Sequence, residues 1–170
     1  MQEWPAAPTL TTDGLLLEPL RVEHADEMAG LLDDPHLHTY IGGDPATVDK
    51  LRSRYTQQVA GRSTDGSQRW HNWVLRRRDT GAAVGTLQAT VTAEQGRSVA
   101  EVAWVVAVPA QGLGFAQEGA RAMVWWLRQG GVEVVVAHVH PRHEASMAVA
   151  RAVGLEATDV VVDGEVRWEG

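Results

Sequence analysis

Short apolar runs, typical of strands, alternate along this chain with segments whose apolar residues recur every three or four positions, typical of helices. We predict strands over residues 10–20, 70–78, 83–93, 99–106, 133–140, 157–162 and 165–168, and helices over residues 21–34, 45–60, 114–129 and 144–153. Asp44 as the cap and Pro45 at the first position mark the start of the second helix. Residues 1–9, with two prolines, are expected to form a loose arm. The element order indicates an α+β fold, layered α/β/α, with a mixed, mostly antiparallel twisted sheet and helices on both faces.

The predicted central strand passes into the third helix through a glycine-rich turn, QGLGFA at residues 111–116. Gly112 and Gly114 allow the main chain to approach a ligand without interference from a Cβ atom. The helix that follows offers unpaired N–H groups and the positive end of a dipole, which together favour an anion such as pyrophosphate. A tight turn without a ligand is the alternative. The turn has neither the Lys-Ser/Thr of a P-loop nor the G-x-G-x-x-G spacing of a dinucleotide-binding motif.

Composition and charge narrow the function classes. A chain of 170 residues, 44% hydrophobic, is long enough for one well-buried domain, which we place at residues 1–170. Its net charge of -7 argues against nucleic-acid binding and favours a cationic partner such as an amine. There is no cysteine, and His138 and His140 lack a third ligand at a fitting spacing, so we expect no metal. The absence of a signal peptide and of a membrane-spanning run predicts a cytoplasmic protein that does not bind membranes.

Three segments together resemble the GNAT superfamily of acetyl-CoA-dependent N-acetyltransferases. The turn fits the pattern Q/R-x-x-G-x-G/A with Gln111, Gly114 and Ala116, and EVAWVV at residues 101–106 fits E-[IV]-[GA]-[YW]-x-[LV]. Further on, Ser146 and GL at residues 154–155 fit the ending S-x(7)-G-[FL] of the N-x-x-S-x(7)-G-F segment. The chain is most similar to the ribosomal-protein N-terminal acetyltransferases and their small-molecule relatives. A family segment that forms part of the acceptor wall is matched by Pro35, Tyr40, Gly42 and Gly43.

The resemblance implies acetyl-CoA as co-substrate and a primary amine as acceptor, on a small molecule or at a protein N-terminus. The implied CoA-binding residues come from the central strand, the turn and the fourth helix: Val105, Val106, Gln111, Gly112, Leu113, Gly114, Phe115, Ala116, His143 and Ser146. The chain departs from the family where His143 replaces a frequent asparagine, Gln111 replaces the commoner arginine and Leu113 replaces a frequent basic residue. The phosphate-binding turn at residues 111–116, here called the cradle, therefore depends on main-chain N–H groups more than on side-chain charge.

Two residues are candidates for the base that deprotonates the amine. Glu101 is the sole charge on the central strand, and His138 has an imidazole, which suits proton removal near neutral pH. Each could instead be structural, Glu101 as an ion-paired residue at the strand entrance and His138 as a satisfied strand histidine. By family position, Ser146 is the candidate proton donor to the departing thiolate, or a first-turn helix residue that bonds its own backbone. We predict direct transfer without a covalent acyl-enzyme, since no cysteine is present.

Other interpretations of the sequence stay open. The chain could be a non-catalytic GNAT-fold module that binds acyl-CoA as a sensor or scaffold, because its cradle has few charges. A different nucleotide-binding α/β protein is a further alternative, which the missing Rossmann spacing disfavours. Trp125, on the polar side of the third helix, could mark a homodimer surface or be a lone exposed aromatic.

Overall fold

The computed structural model describes residues 4–37 and 46–170. The strands are β1 (Leu10–Thr11), β2 (Leu15–Pro19), β3 (Arg69–Arg77), β4 (Ala83–Glu94), β5 (Arg97–Val106), β6 (Val134–Val139), β7 (Glu156–Val162) and β8 (Glu165–Glu169). The helices are α1 (His24–Leu31), α2 (Val48–Gln58), α3 (Phe115–Gln129) and α4 (Glu144–Ala152), and two 3-10 turns span Pro35–Leu37 and Val108–Ala110.

The strands form one sheet in the order β1-β2-β3-β4-β5-β6-β8-β7. Every pairing is antiparallel except that between β5 and β6, which is parallel. Alternation along β3 turns Leu75 into the core beneath α3 and α4, and Val74 into a smaller core beneath α1 and α2. Helices therefore cover both faces of a mostly antiparallel sheet, which confirms the predicted α+β fold class.

The predicted first strand, residues 10–20, is interrupted. It forms two short strands, β1 and β2, joined by a turn at which Glu118 of α3 accepts hydrogen bonds from the Thr12 hydroxyl and, at 3.0 Å, from the Gly14 N–H. The second helix begins later than predicted, at Val48, because the Thr47 side chain accepts the Lys50 N–H and caps it. Asp44 and Pro45, the predicted start, lie outside the described residues.

The N-terminal arm is not loose over residues 4–9, in contrast to our expectation. The indole N–H of Trp73 donates to the Pro8 carbonyl at 2.8 Å, and His71 Nε2 lies 3.2 Å from the Pro5 carbonyl oxygen. Trp4 packs edge-on against His71 and Trp126, with ring centroids 5.9 Å apart in both pairs. Two side chains of β3 bind the carbonyl groups of the arm's prolines, and Trp126 of α3 packs against Trp4. These contacts fix the arm, and the local sequence does not reveal them.

His71 makes the stability of this arm pH-dependent. The ring is 2% exposed, and because a carbonyl only accepts, Nε2 donates to Pro5 while the buried Nδ1 has no hydrogen-bond partner among the described residues. Burial is the main cause that lowers the pKa of His71, and the nearby charge of Arg69 lowers it further. The ring is therefore neutral in the folded state.

We therefore expect the free energy of unfolding to fall as the pH is lowered below the usual histidine pKa of about 6.5, by at most about 1.4 kcal/mol per pH unit. Above that pH the unfolded state is neutral too, and the effect disappears. Urea denaturation between pH 7.5 and 5 should show a shallower pH dependence for His71→Phe than for the unchanged protein. The exposed His36 provides a control, His36→Gln, that should retain the full dependence. Equal slopes for His71→Phe and the unchanged protein would contradict the assignment.

Candidate functional site

The site lies where strands β5 and β6 separate. The two strands pair only from Val99 opposite Val134 to Glu101 opposite Val136. Beyond these residues β5 continues along β4 and β6 continues along β8, so an opening forms between them. At the end of β5 the Ala107 N–H donates to the Val84 carbonyl at 2.8 Å. Antiparallel alternation then turns the main chain of Val105 toward β4 and that of Val106 toward the opening.

The glycine-rich turn closes one end of this opening. Gly112 and Gly114 have φ values of 80° and 82°, in the left-handed region that favours glycine, and Gly114 is the N-cap of α3 without any side-chain cap. The N–H groups of the first helical turn, including those of Phe115 and Ala116, therefore have no partner within the helix. The amide Nε2 of Gln111 donates to the Val106 carbonyl at 2.9 Å and holds the turn against the strand end. Main-chain N–H groups are thus the anion donors that this turn offers.

A cleft of about 480 Å³, here called the donor cleft, runs from this turn along the opening to α4. Its lining comprises His36, Leu37, Trp104, Val105, Val106, Ala110, Gln111, Gly112, Gly114, Phe115, Ala116, Gln117, His143, Ala145, Ser146, Ala148 and Val149. Every predicted cofactor-binding residue therefore lines the cleft except Leu113, whose side chain is exposed at the surface.

Ser146 is oriented by a tryptophan. The indole N–H of Trp104, on β5, donates to Ser146 Oγ at 2.9 Å. An indole N–H can only donate, so the serine oxygen accepts and the hydroxyl proton remains available for a second partner in the cleft. Sequence reasoning included Trp104 only as a position in the strand motif and missed its role, because the contact joins residues on separate elements.

Glu101 and His138, the two candidate bases, are in direct contact. His138 Nδ1 lies 3.0 Å from Glu101 Oε1. Because an ionised carboxylate only accepts, Nδ1 carries the proton and Nε2 of a neutral ring keeps its lone pair. Glu101 is largely exposed and His138 is mostly buried. The pair borders a second pocket that shares Trp104, Val105, His143 and Ser146 with the donor cleft.

His143 lies at the N-cap of α4, in the lining of the donor cleft. Burial is the main cause that lowers its pKa, and the nearby charge of His140 lowers it further. The imidazole is therefore neutral at neutral pH and can donate one hydrogen bond.

On its other side the donor cleft meets a pocket of about 170 Å³, here called the inner cavity, which lies between the sheet and helices α1 and α2. Leu37 and Val105 line both spaces, so they mark the junction. Polar groups of the inner cavity include Asn72 and Gln88, which are cross-strand neighbours on β3 and β4. Of the predicted acceptor wall, Pro35 begins a 3-10 turn, whereas Tyr40, Gly42 and Gly43 lie outside the described residues.

Gly85 allows β4 and β5 to approach closely at the junction of the donor cleft and the inner cavity. This residue of β4 faces Val106, and a Cβ atom at Gly85 would overlap the Val105 carbonyl oxygen. We expect Gly85→Ala to lower the free energy of unfolding by about 1–3 kcal/mol, because rigid main chain has to move. In Gly30→Ala, a helical control with open space around the new Cβ, the free energy of unfolding should be unchanged or higher. Urea denaturation measures both, and equal stabilities of the two variants would contradict the described packing.

The described residues contain neither a metal-binding cluster nor a membrane-spanning helix. Among residues 4–37 and 46–170, no group of three His, Cys, Asp or Glu side chains is arranged to hold a metal ion. No helix in the described ranges is both long and apolar enough to cross a membrane.

Comparison with known proteins identifies the family. A sequence model of the acetyltransferase (GNAT) domain matches residues 14–156. A search of curated proteins finds no significant match. Similar solved structures include a GnaT-family acetyltransferase from Bordetella pertussis, with 22% identity and a TM-score of 0.71 over 95% of this chain and 97% of that chain.

Two further neighbours were solved with their donor or its product. The ribosomal L7/L12 alpha-N-protein acetyltransferase RimL, in complex with CoA, has 16% identity and a TM-score of 0.75 over 95% of this chain and 96% of its own. AAC(6')-Ib, in complex with paromomycin and acetyl-CoA, has 17% identity and a TM-score of 0.74 over 92% and 93%. Because the family model matches most of its length, this chain belongs to the GNAT acetyltransferases and is an acyltransferase.

Proposed function

We propose that this protein moves an acetyl group from acetyl-CoA directly to a primary amine, on a small molecule or at a protein N-terminus. One observation carries the proposal: the Glu101–His138 pair and the inner cavity both adjoin the donor cleft around Val105, in line with a donor and an acceptor that meet there.

The donor cleft fits CoA by its chemistry. The unpaired N–H groups at the start of α3 suit the pyrophosphate, and the opening between β5 and β6 suits the extended pantetheine arm. The Val106 main chain, which faces this opening, would hold the arm and help to polarise the thioester carbonyl. His143 would donate a hydrogen bond to the same arm.

The reaction needs a neutral amine, and the Glu101–His138 pair would supply the base. In this scheme Glu101 holds the His138 ring by its Nδ1–H, and Nε2 takes the amine proton directly or through water. The amine nitrogen forms a bond to the thioester carbon, and the bond from that carbon to sulfur breaks. The Ser146 hydroxyl, held by Trp104, then donates a hydrogen bond or a proton to the departing thiolate. An α-amine, with a pKa near ~8, needs less help than a lysine amine near ~10.4.

Both acceptor classes have support among the structural neighbours. RimL is an alpha-N-acetyltransferase of a ribosomal protein, and AAC(6')-Ib was solved with an aminoglycoside. The inner cavity, of about 170 Å³, leaves room for the part of an acceptor of either class that carries the amine.

Thiol release from acetyl-CoA tests the proposal with little background, because the protein itself has no cysteine. Candidate acceptors are a tripeptide with a free N-terminus, Nα-acetyl-lysine and an aminoglycoside, each with mass spectrometry of the product. We expect acetylation of at least one amine at a rate well above acetyl-CoA hydrolysis. Saturable acetyl-CoA binding without transfer to any amine would favour the non-catalytic alternative instead.

A further inference from the structure

A further cavity, here called the outer cavity, lies next to the inner cavity and extends the proposed path of the acceptor toward the surface. It measures about 300 Å³ and lies between the N-terminal arm, the segment that follows α2 and the start of β3. Leu20, Gln58 and Asn72 line both the inner and the outer cavity, so the two are neighbours. A molecule whose amine reaches Val105 through the inner cavity would extend into the outer one.

Two arginines face each other at this outer cavity. Arg62 and Arg69 form an antiparallel bridge and both line the cavity. The flanking hydrogen bonds, from the Ser63 N–H to the Gln68 carbonyl and from the Trp70 N–H to the Gly61 carbonyl, make them a non-hydrogen-bonded pair. Side chains approach most closely in pairs of this kind.

Like charges directly opposite each other on adjacent strands are unfavourable. Arg69 donates one hydrogen bond to the Gly66 carbonyl, and neither guanidinium has a carboxylate partner in the described part of the chain. Asp65, the nearest acid along the chain, already accepts from Ser63 and Ser67. An anion between Arg62 and Arg69 would relieve their repulsion.

Asn72 is the second sign of a ligand. The residue is 9% exposed, and its side-chain amide has no hydrogen-bond partner among the described residues. Alternation along β3 turns Asn72 to the face of Val74, beneath α2, and Arg69 to the opposite face with His71. Residues from both faces line the outer cavity, which therefore reaches around the end of β3. The amide atoms are not among the fully buried unpartnered atoms, so they reach the cavity surface, where water or a ligand can bind them.

We propose that the acceptor is an amine that carries an anionic group, a carboxylate or a phosphate, and that Arg62 and Arg69 bind this anion while Asn72 binds the polar chain in between. The inference rests on the proposed function for the position of the amine. Asn72 lies two strands and two residues from Val105, which is on the order of 12 Å for strands about 4.8 Å apart with a rise of about 3.3 Å per residue. Arg69 lies two strands and five residues from Val105, on the order of 19 Å by the same spacings. A tripeptide, about 10 Å long, therefore reaches the anion site only when an arginine side chain extends toward it.

Three matched acceptors test this inference: Ala-Ala-Ala, its C-terminal carboxamide, and Ala-Ala-phosphoserine carboxamide. We expect the KM of the free acid or of the phosphopeptide to be about tenfold below that of the plain carboxamide. The peptide with the lower KM identifies the anion. In Arg62→Gln/Arg69→Gln the KM of the anionic peptide should rise to that of the carboxamide. The control Arg97→Gln/Arg121→Gln removes the same charge from exposed positions elsewhere and should keep the preference. Equal KM values in the unchanged protein, or a preference that survives in Arg62→Gln/Arg69→Gln, would overturn the proposal.

A binding experiment separates this inference from the proposed function. N-acetyl-Ala-Ala-Ala and N-acetyl-Ala-Ala-phosphoserine carboxamide resemble reaction products and need no turnover to bind. We expect NMR titration with the preferred peptide to shift the Asn72 side-chain amide and the Arg69 Nε–H signals, and to shift neither in Arg62→Gln/Arg69→Gln. If no amine causes thiol release from acetyl-CoA but these shifts occur, the proposed transfer reaction is contradicted and the anion site is supported. If thiol is released but neither peptide produces the shifts, the anion site fails.

Discussion

Glu101→Gln is expected to lower kcat by about 100-fold while the Kd for acetyl-CoA changes by less than about twofold. The carboxamide still fits next to His138 but no longer favours the protonated Nδ1 or balances a charged ring, so the base is both misoriented and weaker. Because the Glu101 side chain is 60% exposed, the change should leave the fold intact. Steady-state thiol release and acetyl-CoA titration measure the two quantities separately.

The variant His138→Gln and the double variant Glu101→Gln/His138→Gln extend this test. If Glu101 and His138 act as one unit through their 3.0 Å contact, the double variant should be no slower than the slower single variant. Additive losses would mean that the two residues act independently, and a single variant with an unchanged rate would remove that residue from the base. Glu94→Gln, at the exposed end of β4, is the control for the loss of one negative charge.

Gly114→Val should weaken acetyl-CoA binding by at least about tenfold. The residue is the N-cap of α3 and lines the donor cleft where the phosphates of CoA are expected, and no atom lies within 4 Å of its Cβ position. A branched side chain there would separate the phosphates from the main-chain N–H groups. Isothermal calorimetry with acetyl-CoA measures the loss.

Gly96→Val provides a matched control for backbone strain. Gly96 and Gly114 have φ values of 80° and 82°, and a new Cβ atom meets nothing within 4 Å at either position. Both variants should therefore lose stability to a similar extent, by about 1–3 kcal/mol, but only Gly114→Val should lose acetyl-CoA affinity. Unaltered binding by Gly114→Val would contradict the assignment of the cradle.

Local patterns predicted most of the fold. The glycine-rich turn, the helical stripe of α3 and the apolar runs of β3, β4 and β5 follow from the local sequence, and their bounds differ from prediction by one or two residues. The errors lie where tertiary contacts decide. The predicted first strand is interrupted by a turn at Thr12 and Gly14, because Glu118, more than a hundred residues away in sequence, accepts hydrogen bonds from both residues.

The candidate site was predictable in its parts but not in its connections. Sequence reasoning proposed Glu101 and His138 as alternatives, because nothing local indicates that a parallel register places Glu101 opposite Val136 and so beside His138. The contact from Trp104 to Ser146 joins β5 to α4 and had no sequence signal beyond the strand motif. Asn72 could have been noticed as a polar residue directly before the apolar residues 73–75 of a strand, although its cavity depends on how α2 packs.

Calorimetric titration with acetyl-CoA tests the central claim most directly, with ATP and NADPH as ligands that also carry phosphates. We predict saturable binding of one acetyl-CoA per chain and no comparable binding of ATP or NADPH, because the cleft between β5 and β6 suits an extended pantetheine arm as well as the phosphates. Absence of saturable binding by acetyl-CoA, or equal binding by all three ligands, would contradict the assignment of the donor cleft and with it the proposed reaction.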